Sequence, residues 1–289
     1  MGRALPPLLG AALGAAVLAS IPCLLGGCPR SERRPDAAED PTVVLRYRFE
    51  KGRQLRYEST TVERGRFDVT IAMLTRWTVD GVRPSGAGDL TVTVESYRHT
   101  VFPSRDLPPD VATLNRALRG ARFRMRISDD GASVEHLGAE ELPPVSEASI
   151  EALRATLSSH VLKLPGRPVT LGQRWSVEKG PGADAGPGAL SSRSRWRVLS
   201  LRRQGSRRPV ELVCLSTMDV GPMPVSDHGG LATSSTEFHY NYLFDAAAGV
   251  LEALTSAGSA TTKTVGIPDA GSDEQSTTFE GKLRLLPRL

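Results

Sequence analysis

From Val43 onward apolar and polar residues alternate strictly, and this constrains the fold more than any other feature of the chain. Val43, Leu45, Tyr47 and Phe49 interleave with Arg46, Arg48 and Glu50. Phe67, Val69, Ile71, Met73, Trp77 and Val79 do the same against Asp68, Thr70, Arg76, Thr78 and Asp80. Leu90, Val92 and Val94 alternate with Thr91, Thr93 and Glu95. Successive strand side chains point to opposite faces, so period two builds the apolar and polar faces of half-buried antiparallel strands. Asp80-Gly81 and the stretch from Pro84 to Gly88 mark the reversal between the last two runs. The pattern predicts a mainly β protein with minor α.

A repeat emerges when the strands are laid end to end. Phe49-x-x-Gly52-x-x-Leu55-x-Tyr57-Glu58 matches Val169-x-x-Gly172-x-x-Trp175-x-Val177-Glu178. Arg76-Trp77-x-Val79 follows the first, and Arg195-Trp196-x-Val198 follows the second at nearly the same distance. Leu90-x-Val92-x-Val94 is then read against Val210-x-Leu212-x-Cys214, and the turn Ile127 to Gly131 against Phe244 to Gly249. The same order at similar spacing predicts two similar antiparallel β units, residues 43–143 and 165–289. Curved sheets, open-barrel or clam-like, are expected from them.

Two segments depart from period two. Pro109-Asp110 to Gly120 places Val111, Leu114 and Leu118 on one helical face, which predicts a short helix near 110–119. Ser146 to Leu162 places Ile150, Leu153, Leu157 and Val161 at helical spacing, with Ser146 and Ser149 as caps and Pro165 beyond. This amphipathic helix, in the connecting segment 144–164, joins the two units, and its apolar stripe calls for cover from their sheets. Its polar face carries Glu147, Glu151 and Arg154 rather than a basic row, so core packing is a better reading than a membrane surface.

The N-terminus is of another kind. Arg3 precedes Ala4 to Leu25, which is apolar apart from Ser20 and prolines 6, 7 and 22, and Leu25-Gly26-Gly27-Cys28 ends it. That tetrapeptide resembles the lipobox of bacterial lipoproteins, although Gly26 stands where Ala, Ser or Thr is more usual. The resemblance implies a signal peptide over 1–27, cleavage between Gly27 and Cys28, and acylation of Cys28. Cys23 is a poor rival, because Pro22 would sit at the cleavage position. The alternative is a plain membrane anchor, since the apolar stretch reaches the ~20 residues that a bilayer demands. Two or three acyl chains would make the anchoring effectively permanent. Pro29, in place of the aspartate that retains lipoproteins in the inner membrane, leans toward the outer membrane, facing the periplasm or cell surface. Residues 28–42 are charged, proline-bearing and poor in apolar groups, as a disordered tether would be.

The remaining composition excludes more than it assigns. Lysine occurs only at 51, 163, 179, 263 and 282, so arginine supplies the rest of the 36 basic residues. A formal charge of +4 is far from a nucleic-acid footprint. With Cys23 in the leader and Cys28 acylated, Cys214 has no disulfide partner and reads as a small buried hydrophobe.

Lys51-Gly52-x-x-Leu55-x-Tyr57 and Leu164-Pro-x-x-Pro168-Val169-x-x-Gly172-x-x-Trp175 are similar to marks of a family of uncharacterised bacterial envelope proteins, often lipoproteins. That family is described only as containing a domain of unknown function. The resemblance covers most of the mature chain and implies an address and a fold, not an activity.

The search for chemistry yields little. Histidines 99, 136, 160, 228 and 239 form no zinc-protease pair. Asp227-His228 beside Gly229-Gly230, with His239 following, is the most site-like spot, and loop polarity explains it better than a metal. Ser176-Val-Glu-Lys179 fits the Ser-x-x-Lys pattern of penicillin-binding enzymes, but in a strand-like run rather than at a helix start. The glycine-rich stretch Gly180–Gly188 reads as a flexible hairpin loop. Arg122, Arg124 and Arg126 would line one strand face, and Arg46, Arg48, Arg53 and Arg56 could extend it; a solvated face is preferred to a phosphate or carboxylate grip. No catalytic residue, metal or cofactor is expected. The sequence points to a non-catalytic, lipid-anchored envelope protein that binds a hydrophobic ligand, lipid or protein partner, with the enclosed space between the units as default site. A structural envelope scaffold is the second reading and a cell-wall or lipid-modifying enzyme the third.

Overall fold

A computed structural model describes residues 42–65, 68–102, 109–140, 142, 146–180, 188–224, 230–267 and 271–287. Gly27, Cys28 and the tether lie outside the described residues, as do Asp227, His228, Gly229 and residues 181–187 of the glycine-rich loop. The first unit runs through β1 (Val43–Val44), β2 (Gln54–Arg64), β3 (Asp68–Val82), β4 (Gly88–Phe102), α1 (Pro109–Ala117), β5 (Arg122–Ile127) and β6 (Val134–Glu140). α2 (Glu147–Ser159) connects to the second unit. That unit runs through β7 (Pro168–Val169), β8 (Arg174–Lys179), β9 (Leu190–Leu201), β10 (Pro209–Pro224), β11 (Leu231–Asp245), β12 (Val250–Ile267) and β13 (Gly271–Leu285).

The two units do not form separate sheets. They share one antiparallel sheet of 11 strands in the order β6-β5-β4-β3-β2-β13-β12-β11-β10-β9-β8, and β13 pairing with β2 is the seam. β6 and β8 are its edges and do not pair with each other, so the curved sheet stays open. β1 and β7 form a separate two-stranded ladder, Val43 opposite Val169.

The repeat is physical at its first turn. Gly52 N–H donates to the Val79 carbonyl at 2.8 Å, and Val79 N–H returns to the Arg53 carbonyl at 3.0 Å. In the second unit Gly172 donates to Val198 at 3.0 Å and Val198 returns to Gln173 at 3.0 Å. Both glycines are left-handed, with φ 83° and 76°, a conformation that a Cβ disfavours. The register farther along differs from the sequence reading. Val92 lies opposite Trp77, but it is Cys214, not Leu212, that lies opposite Trp196. Leu212 therefore answers Leu90, because the β9–β10 hairpin has a longer turn than β3–β4, while both hairpins carry a bulge at the same place, beyond Val79 and beyond Val198.

The units diverge beyond their last repeated strands. β12 leads into β13, which bridges to β2; β6, at the corresponding place in the first unit, leads into α2. A helix thus stands where a strand would carry the ladder on from β6, leaving both edges open.

Residues 45–49, expected as strand from their alternation, join no ladder. Their amides go to the turns of both units: Tyr47 N–H donates to Asp129 O at 2.6 Å and Arg48 N–H to Gly249 O at 3.1 Å. Alternation still reports burial there, since Leu45 is fully buried. One apolar core runs through both units, with Phe123, Met125, Leu157, Leu212 and Phe244 among its members.

Candidate functional site

The residues that the sequence singled out are scattered. His239 is exposed on β11, its Nε2 at 3.1 Å from Glu237. Ser176 is exposed on the edge strand β8, where no helix opens. Cys214 is buried on β10, and burial pushes its thiol up to about 12, as expected for an inert hydrophobe. The arginine stripe on β5 is paired: Arg124 with Glu140 at 3.4 Å, and Arg126 with Asp89 at 2.7 Å and Glu135 at 3.0 Å. Arg46 meets Asp129 at 3.1 Å. Among the described residues no group of three His, Cys, Asp or Glu side chains could hold a metal ion. No described helix is long and apolar enough to cross a membrane.

The space between the units is filled rather than hollow. Tyr47 stacks on Phe49 and meets Phe244 edge-on, with centroids 5.8 and 5.5 Å apart. The gap left among Leu55, Tyr57, Trp77 and Leu251 is about 30 Å³, and a water occupies ~30 Å³ of liquid. The default site is therefore corrected. On the rim of this junction lies an open cleft of about 710 Å³, where Arg53, Arg56 and Arg76 face Leu55, Val250 and Leu285. These cations are engaged: Arg56 and Arg76 share Glu95, and Arg53 donates to the Ala248 carbonyl at 2.9 Å.

The apolar cavity lies within the first unit, under its helices. It holds about 220 Å³. Val69, Ile71 and Met73 of β3 form the floor, with Tyr97 of β4 beside them. Leu114 and Leu118 of α1 and Leu153 of α2 form the roof.

Specific bonds hold that roof. β5 pairs with β4 only as far as Thr93, so the outer part of β4 has a free edge on that side. α1 covers it: His99 N–H donates to Asn115 Oδ1 at 2.6 Å and Asn115 Nδ2 donates to His99 O at 2.8 Å. Gly120, at φ 92°, ends the helix segment and donates to Val94 O at 2.8 Å. α2 is capped by Ser146, whose hydroxyl accepts from Ser149 N–H at 3.3 Å. It ends at Ser159, short of the expected Leu162, because Leu162 N–H donates instead to Tyr47 Oη at 2.7 Å. His136 of β6 and Ser158 of α2 hydrogen-bond at 2.9 Å.

Glu63 and His99 enter this setting beside the hydroxyls of Thr61, Ser149 and Thr156. Glu63 of β2 lies opposite Val69, and burial raises its carboxyl above the usual range. His99 of β4 lies opposite Ile71, and burial lowers its imidazole, favouring the neutral form. Its Nδ1 is shielded from solvent with no hydrogen-bond partner. The sequence pattern does not single out Glu63, and it gives His99 only as one histidine among the others. The signal it lacks is that Ser59, Thr61 and Glu63 share the helix-covered face of β2 with Tyr57. No family model matches the chain, and no curated protein matches it in sequence.

Proposed function

We propose that this chain is a non-catalytic cell-envelope lipoprotein, anchored through Cys28, that holds a hydrophobic ligand under α1 and α2. The observation that carries the ligand reading is the apolar cavity between these helices and β2–β4. At about 220 Å³ it is smaller than the ~300–1,000 Å³ typical of drug-sized ligands, which suits one chain or ring rather than a whole lipid. The anchor rests on the leader and its lipobox-like end. Non-catalytic binding is favoured because, among the described residues, no side-chain hydrogen bond joins the titratable groups at the cavity, Glu63, His99 and Tyr97, into a nucleophile–base constellation.

Native mass spectrometry of the protein purified from its own envelope tests the ligand. A co-purified single-chain amphiphile is expected. A stoichiometric protein partner with no small molecule would favour the scaffold reading. Metabolic labelling with a palmitate analogue tests the anchor, and undiminished label in Cys28→Ser would reject it.

A further inference from the structure

We propose that the cavity under α1 and α2 takes a single-chain amphiphile with a primary ammonium head, with Glu63 as its counter-ion. This rests on the hydrophobic-ligand reading and adds the class of head group. Of the described residues lining the cavity, Glu63 is the sole one with a formal charge; no described lysine or arginine lines it. Among the described residues Glu63 has no ion pair or hydrogen bond, whereas Glu58 on β2, Glu280 on neighbouring β13 and Glu95 on β4 each pair with an arginine. A half-buried carboxylate without a partner is a cost to the empty protein.

Charge decides among heads. A carboxylate or phosphate head would set a like charge beside Glu63. A neutral head would leave that charge uncompensated. An ammonium cancels it and brings three donors, for Glu63 and for the Thr61 hydroxyl that lines the cavity beside it. Glu63 and Thr61 are two residues apart on one face of β2, so both acceptors stand on the same side of the cavity, while His99 lies beyond Ile71 on β4. The N-terminus of α2 would favour an anion, but Ser146 caps it and Glu147 sits in its first turn.

The test uses the purified full-length protein in detergent and two photoreactive probes, dodecylamine and dodecanoic acid, each with a diazirine in the chain. Crosslinks are mapped by mass spectrometry to peptides of β3 and α1. The amine should label them about tenfold more than the acid, the size of one charge-assisted hydrogen bond. Glu63→Gln should abolish the preference and Glu63→Lys invert it. Equal labelling by both probes in the unaltered protein, which needs no variant to fold, would overturn the proposal. So would a preference that survives Glu63→Gln. If neither probe labels the cavity peptides, the hydrophobic-ligand reading itself falls.

Discussion

Asn115 grips the backbone of His99 from both sides, accepting from its N–H at 2.6 Å and donating to its carbonyl at 2.8 Å. One side chain thereby completes, for one residue of β4, the ladder that β5 leaves unfinished, and it fixes α1 over the cavity. Asn115→Leu keeps the branched shape of the side chain and removes both bonds. At ~0.5–1.5 kcal/mol net for each, the loss should be about 1–3 kcal/mol. Hydrogen exchange should show it as faster exchange in α1 and outer β4, with β9–β12 unchanged.

The junction of the units depends on a second close approach. Gly249 has φ 63°, its carbonyl accepts from Arg48 N–H, and a Cβ on it would run into the Arg48 backbone. Gly205 has nearly the same φ, 61°, with nothing near its missing Cβ. Gly205→Ala should cost only the left-handed conformation, ~1–2 kcal/mol. Gly249→Ala should cost clearly more, because Arg48 must also move. Urea denaturation of the two variants separates the effects, and equal losses would show that the contact with Arg48 is not tight.

Much of this architecture is legible in the residues, and the failures have physical causes. Period two reveals β3 and β4 because one of their faces is buried and the other wet. The helical stripe Ile150, Leu153, Leu157 and the Ser146 cap place α2. Alternation reports burial and not pairing, which is why Leu45 to Phe49 look like a strand yet bond to two turns. The seam between β13 and β2 joins segments more than two hundred residues apart, as in the pair Leu285–Tyr57, and no local pattern announces it. The cavity is hidden from the pattern because polar Ser59, Thr61 and Glu63 face inward on β2, against the rule that inward positions are apolar.

Asp245 ends β11 almost fully buried, and its Oδ1 accepts from the N–H groups of Arg208, Ala247 and Ala248 at 3.1, 2.9 and 3.2 Å. Burial pushes its carboxyl up, but these bonds and Arg207 outweigh it, and the net shift is downward. A lowered folded pKa means that the ionised group stabilises the protein above the ordinary aspartate range, ~3.9, and loses that contribution as pH falls through the lowered value. Asp245→Asn should therefore melt lower than the unaltered protein at neutral pH, and the gap should close in acid. A gap that persists unchanged at low pH would mean that shape, not charge, matters at this turn.

Glu63 carries the opposite sign. Burial raises its carboxyl, so stability linked to it is fully present below the ordinary glutamate range and declines as pH rises through the raised value. Across the cavity the titratable neighbours among the described residues are His99 and Tyr97; none comes from the described roof residues of α1 or α2. His99 is itself held toward its neutral form by burial, so it supplies no compensating cation near neutral pH, and Tyr97, pushed up to about 12, stays an uncharged phenol. In the ligand-free protein Glu63→Gln should melt level with the parent at about pH 4, near the unperturbed glutamate value, and higher than the parent at neutral pH. Saturating dodecylamine should narrow the neutral-pH gap by stabilising the parent more than the variant. A variant that is less stable than the parent at neutral pH without ligand would show that Glu63 already has a stabilising partner.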